Sequence, residues 1–197
     1  MLVFAMIALV IMLIGAVAIT RSMNSSQFNI GNIGFKRDLA NQSERAVQKA
    51  MNAVRTGGLL VDPTARLANL KTANYSAVKL ADNAQGIPTA LLDNAVFGAY
   101  GTTTNDIVID ELNVTVRYVV DRLATTAGAC SAATCVFANQ TVFGGSSSEW
   151  INSQTNSGAA NNANPSAVPQ QPVYRLTVKV TGPRNTLSFY QSTFTTD

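Results

Sequence analysis

The sequence predicts an α+β protein: a long N-terminal helix, an apolar anchor followed by an amphipathic extension, packed on a small antiparallel β-sheet. Three observations predict it. Met1 to Thr20 reads MLVFAMIALVIMLIGAVAIT, without a charge or a proline. Residues 35–56 repeat apolar side chains at every third or fourth position. Three later stretches alternate apolar and polar residues with the period of a strand.

As a helix, the first segment would rise about 30 Å, which matches the hydrocarbon thickness of a bilayer. The first ionisable side chain is Arg21, and no other stretch is as dense in apolar residues. A cleaved secretory signal would place Lys or Arg before a shorter apolar core and a small-residue site after it. Neither is found, so the helix is expected to remain in the mature protein, with a basic leader removed at Met1 or trimmed ahead of it. Positive charge on such a leader would put the remainder of the chain across the membrane. The net charge is only +3, and Lys and Arg are scattered rather than interleaved with aromatics. A nucleic-acid partner is not expected.

Residues 1–34 are expected to form one unit, an apolar helix and a weakened neck, and residues 35–197 a globular head. The neck, RSMNSSQFNIGNIG at 21–34, is a poor helix former. Glycine costs about 1 kcal/mol against alanine, and Asn and Ser compete for backbone hydrogen bonds. Gly31 and Gly34 mark the expected break or stretch. Gly15 is a lesser weak point, or a place of close helix packing.

Helix is expected again over 35–56. Leu39, Ala46, Val47, Ala50, Met51 and Val54 form its apolar stripe, with Lys36, Arg37, Glu44, Arg45, Lys49 and Arg55 on the other faces. Gly57 and Gly58 suit its C-terminal end. The connection 59–105, interrupted by Pro63 and Pro88, is expected to be irregular with one or two helical turns.

A strand is expected at about 110–123, where Leu112, Val114, Val116 and Tyr118 alternate with Asn113, Thr115 and Arg117. Two more are expected at 173–181 and 186–195, joined by the turn Gly182-Pro183-Arg184-Asn185. Their shared apolar face needs a cover, and helix 35–56 is the available one.

Cys130 and Cys135 lie in GACSAATCV. In an oxidising compartment they would close a short disulfide loop, worth about 2 kcal/mol by chain entropy. Zinc is the alternative, but with no histidine and no further cysteine a tetrahedral N/S site cannot be completed. Between Gly144 and Pro172 a polar loop holds one large apolar pair, Trp150 and Ile151. The pair would either pin the loop to the head or meet a partner.

Little points to chemistry. Without histidine, Ser-His and Cys-His nucleophile pairs are excluded. Gly144-Gly145 lacks the Lys-Ser/Thr of a phosphate loop. Asp106, Asp110 and Glu111 lack the spacing of an EF-hand and read as a solvated strand start. Ser25 and Ser26 read as neck residues rather than nucleophiles. The Asn-x-Ser/Thr strings at Asn41, Asn74, Asn113 and Asn139 match a glycosylation pattern that often arises by chance. No catalytic, metal or cofactor site is expected, and the chain is not read as an enzyme.

The strings MLVFAMIALVIMLIGAVAITRSM, FKRDLANQSERAVQKAM, VTVRYVVDRL with a following Cys, and YRLTVKVTGPRNTLSFYQSTF together resemble the type IV pilin superfamily, and within it the PilX-type minor pilins. The likeness covers about the first 55 residues well and the strand segments moderately. It implies a pilin-like fold and a Gram-negative type IV pilus (fimbrium) subunit. Such a subunit stands in the inner membrane as a single-pass protein with its head in the periplasm, then moves to the extracellular pilus. Implied partners are other pilins through the N-terminal helix, the inner membrane before assembly, and a tip adhesin, which links the chain to cell adhesion. Met1, Ala5, Ala8, Gly15 and Ala16 would pack in the filament core. Major pilins carry a glutamate where Ala5 stands, and its absence suits a subunit that initiates or caps pilus assembly. Edge strands and the disulfide-closed region would contact other subunits. A dominant pilus subunit, a type II secretion minor pseudopilin and a tethered periplasmic binding module are the alternatives.

Overall fold

The computed structural model describes residues 1–55, 57–131, 133–138 and 171–196. Trp150 and Ile151, most of the polar loop 144–172, Thr56 at the expected helix end and Asn139 lie outside the described residues. The chain divides into two compact units, Met1–Gln42 and Ser43–Asp197.

Helix α1 (Leu2–Val54) supplies the whole of the first unit. Its run overturns the expected break, because Gly31 and Gly34 lie inside uninterrupted helix. The physical reason is cooperativity. Each glycine costs about 1 kcal/mol, but breaking the helix would require a second costly nucleus beyond the break. At Gly15, Gly31 and Gly34 an added Cβ would meet nothing within 4 Å, so no close contact within this chain demands glycine there.

In the second unit α1 ends at Val54 rather than at residue 56. Ala46 and Ala50 are buried, and Val47, Met51 and Val54 are half-buried, as the stripe predicts; Ser43, which the stripe did not include, is buried as well. Glu44, Arg45 and Arg55 are exposed. Gly57 takes a left-handed conformation at φ 86°, and a Cβ on Gly58 would sit 2.3 Å from the carbonyl oxygens of Asn52 and Ala53. The paired glycines therefore stop the helix by conformation and by space. Lys49 Nζ donates to Asn105 O at 2.8 Å, and Leu60 N–H donates to Ala53 O at 2.7 Å.

The connection 59–105 is more ordered than expected. It holds 3-10 turns at Pro63–Leu67, Lys71–Ala73 and Thr103–Asn105, a short strand β1 (Tyr75–Ser76), and helices α2 (Thr89–Leu92) and α3 (Asn94–Tyr100). Strands β2 (Ile107–Ile109), β3 (Val114–Arg122), β4 (Val173–Thr181) and β5 (Leu187–Thr195) follow. The sheet order is β1-β3-β4-β5, with β2 also on β3. β3-β4, β4-β5 and β2-β3 are antiparallel, but β1 pairs with β3 in parallel. The sheet is therefore mixed, which corrects the purely antiparallel expectation. A two-residue strand such as Tyr75-Ser76 is too short to show a period in the sequence.

The strand expected from residue 110 begins at Val114 instead. Asp110–Leu112 forms a 3-10 turn, and Leu112 is 42% exposed. Asn113 then adopts a left-handed conformation, φ 49°, with its N–H on Asp110 O at 3.1 Å. The same device precedes β1: Lys71–Ala73 turns, and Asn74 sits at φ 52° with its N–H on Lys71 O at 3.1 Å. Asparagine tolerates this region better than most residues. Each turn closes an antiparallel pair, Leu70 with Tyr75 and Ile109 with Val114. The Asn-x-Ser/Thr strings at Asn74 and Asn113 thus reflect turn chemistry at the start of a strand.

Both faces of the sheet centre are covered, where one had been expected. On one face Val116, Tyr118 and Val120 lie opposite Val180, Val178 and Leu176, all buried. Tyr75, Tyr174 and Phe194 make an aromatic row there, with centroid spacings of 6.3 and 5.6 Å. On the other face Val119 joins Leu80, Ala90, Leu91 and Phe97, flanked by Tyr100 and Phe189. Val119-Val120-Asp121-Arg122 is buried throughout, which is why the alternation fails at that point.

Candidate membrane and assembly surfaces

The first surface is the N-terminal part of α1. Leu2–Asn24 is the one described segment long and apolar enough to cross a membrane, and none of it is buried. A helix apolar on every side has no solvent-facing stripe, a property shared by membrane anchors and signal sequences. Ala5, Ala8, Gly15 and Ala16 fall within an arc of about 100° at 3.6 residues per turn. Met1 stands at the head of that arc, its carbonyl accepting from Ala5 N–H at 3.2 Å. Thr20 Oγ1 donates to Ala16 O at 2.8 Å, which satisfies the hydroxyl without a partner chain. All five candidate packing residues are exposed.

The second surface is the head around the disulfide. Cys130 and Cys135 are bonded. Cys135 packs with Ala124 and Phe137 in a small cluster, against which Cys130 rests. Backbone bonds from Val136 N–H to Leu123 O and from Val173 N–H to Val136 O, both 2.9 Å, tie this loop to the ends of β3 and β4. A cleft of about 700 Å³ lies alongside, lined by Lys79, Leu123, Thr125, Thr134 and Val136 among others.

Three polar clusters hold the head together, and sequence reasoning did not single them out. Arg175 on β4 donates through Nε to Asp121 Oδ1 at 3.0 Å and through Nη2 to Asp121 Oδ2 at 2.6 Å. Its third nitrogen reaches Asp82 at 2.9 Å, and Lys79 lies 3.3 Å from the same carboxylate. Asp121 is 0% exposed and also accepts from Leu80 N–H at 2.9 Å. Burial pushes the Asp121 carboxyl above its ordinary range, against the pull of Arg175 and the Leu80 amide. Burial works the same way on Asp82, but Arg175 and then Lys79 outweigh it and hold that carboxyl low. Arg175, though burial opposes its charge, is held above the usual range by its two carboxylates.

The second cluster centres on Arg117, which clamps Asp106 with contacts of 2.6 to 3.1 Å and Asn94 Oδ1 at 2.6 Å. Its guanidinium lies 4.5 Å from the Phe97 ring centroid. Asp106, first read with Asp110 and Glu111 as a solvated acidic group, is thus committed to an ion pair. Nearby Lys179 donates to Leu91 O at 2.9 Å, and burial lowers its pKa.

The third is Asn74, fully buried. Its amide donates to Tyr118 O at 3.1 Å and accepts from Thr102 N–H and Asn105 Nδ2, both at 3.0 Å. An Asn-linked modification there would have to break all three bonds. Burial pushes the neighbouring Tyr118 hydroxyl up to about 12.

The alternation gave no signal for the first cluster: Asp121 and Arg175, cross-strand partners on β3 and β4, stand on the polar side of their strands with Arg117 and Lys179. Comparisons of the chain with protein-family models, curated proteins and solved structures found no match.

Proposed function

We propose that this chain is a type IV pilus subunit of the PilX-type minor pilin class, helping to initiate or cap filament assembly and to display a tip adhesin. The observation that carries the reading is α1 itself. An apolar segment exposed on every side, Leu2–Asn24, continues without a linker into the helix that closes the head at Val54. A tethered binding domain would more often carry a flexible linker at that point.

The physics of the reading is an exchange of environments. In the inner membrane the segment faces lipid; in a filament it would face the same segment of other subunits. Both surroundings are apolar, so the transfer costs little hydrophobic free energy. The arc of Ala5, Ala8, Gly15 and Ala16 would let neighbouring helices approach closely. The disulfide would stabilise the head outside the cytoplasm.

Quantitative mass spectrometry of filaments sheared from the producing cells tests this. Trace amounts beside an abundant second pilin are the expected result. Stoichiometric abundance would make the chain the main building block instead. Retention in the membrane fraction, with none in sheared material, would overturn the pilus reading and favour a secretion pseudopilin or a tethered module.

A further inference from the structure

We propose that the outer edge of β5 is a self-association surface, on which β5 of a second copy adds as an antiparallel strand centred on Gln191. This does not rest on the pilin reading.

The two edges of the sheet differ. Beyond β3, the edge is closed by β1 and β2. Beyond β5, no described residue pairs with the strand. Natural edges are usually blunted by charge, proline or a bulge. Here the distribution is inverted. β3 carries Arg117, Asp121 and Arg122, and β4 carries Arg175 and Lys179. β5, LSFYQSTFT, carries no charge and no proline, and neither do its flanks Thr186 and Thr196. Its ladder to β4 runs in register from Leu187 to Thr195 without a bulge. Gln191, Ser192 and Thr193 are exposed in succession, with the Gln191 amide turned toward β4, where it donates to Gly86 O at 2.8 Å and Thr177 Oγ1 at 3.2 Å.

The strand is complementary to itself about that middle. Antiparallel pairing centred on Gln191 sets Tyr190 opposite Ser192, Phe189 opposite Thr193 and Phe194 opposite Ser188. Each ring meets a small hydroxyl side chain, and no like charges face each other. The pairing also keeps each residue on its own face, because partners then share the same parity along the strand. A one-residue slip would break that match. The occupant is therefore a second copy, joined by an isologous contact.

Cysteine cross-linking of the full chain in detergent tests this, since both native cysteines are held in the disulfide. A short thiol cross-linker should dimerise the Gln191→Cys variant at least ten-fold faster than Leu112→Cys, an exposed position off the edge. Adding Thr193→Lys to Gln191→Cys should remove that advantage; if circular dichroism shows that this pair misfolds, Ser192→Lys replaces it. Equal rates at residues 191 and 112 would overturn the proposal. So would dimers that persist with the edge lysine, since they would arise elsewhere. Cross-linking in native membranes mainly to a different protein would overturn the choice of a second copy.

Discussion

Along Leu2–Asn24 the large apolar side chains are all outside, whereas in Ser43–Asp197 Asp121, Arg122, Arg175 and Asn74 are inside. The same physical rule governs both. Apolar groups leave water, and polar groups that leave water must find partners. For these two residues the head supplies the partners itself: Asp121 has Arg175 and the Leu80 amide, and Arg122 donates to Ala77 O at 3.0 Å and Gly128 O at 2.8 Å. The apolar helix cannot meet the first condition alone, because nothing in its own unit covers it. The difference teaches that the head is stable by its own pairing, while the helix is specified by what surrounds it.

The sharpest way to break this contrast is to orphan a buried charge. Asp121→Ala leaves Arg175 without its two-bond partner, and urea unfolding of the full chain in detergent should show a loss of about 3–5 kcal/mol. A change within a few tenths of a kcal/mol would mean the pair carries no weight. The converse move puts a charge in the apolar helix. Leu13→Arg should cost about 2.5–3.5 kcal/mol of insertion and shift protein out of the membrane fraction, with no change in the head's unfolding. A shift in both would mean that the two units are not independent.

Removing the disulfide with Cys130→Ser and Cys135→Ser should lower head stability by about 2 kcal/mol, read in the same titration. The left-handed turns sharpen the contrast within the head. Asn113→Ala should cost about 1–2 kcal/mol, the strain of placing alanine at that φ. Asn74→Ala should cost more, since three buried hydrogen bonds go with it.

The smallest effect is in pH. Asp82 has a lowered folded pKa, so its contribution is complete above the ordinary carboxylate value and is lost as pH falls below it. Asp121 has a raised folded pKa, so it works with the opposite sign: stability grows as pH falls through that value toward the ordinary one. Asp82→Asn should therefore flatten the acid limb of a stability-pH curve, and Asp121→Asn should steepen any decline. Matching slopes in the two variants would refute the assignment.

Much of the fold was legible because it is periodic. The stripe at Ala46 and Ala50, the strand at 173–181 and the glycine stop at 57–58 all follow from local pattern and turn chemistry. Gly31 and Gly34 misled because residue propensity is local, whereas a helix already propagating carries two weak residues along. Residues 110–113 misled because Leu112 fits the alternation by accident; the 3-10 turn and the left-handed Asn113 decide the register. Of the candidate surfaces, the apolar helix was visible at once, since its signal lies in consecutive residues.

The sequence by itself determined an uncharged helix long enough to span a bilayer, an amphipathic continuation, two long antiparallel strands and a cysteine pair close enough to bond. Each is set by neighbours along the chain. The tertiary structure alone decided that β1 joins in parallel, that α2 and α3 bury the second face, that Asp82, Asp121 and Arg175 meet, and that no described residue pairs with the outer side of β5. These depend on contacts between residues distant in sequence, which burial and charge pairing select only once the chain has folded.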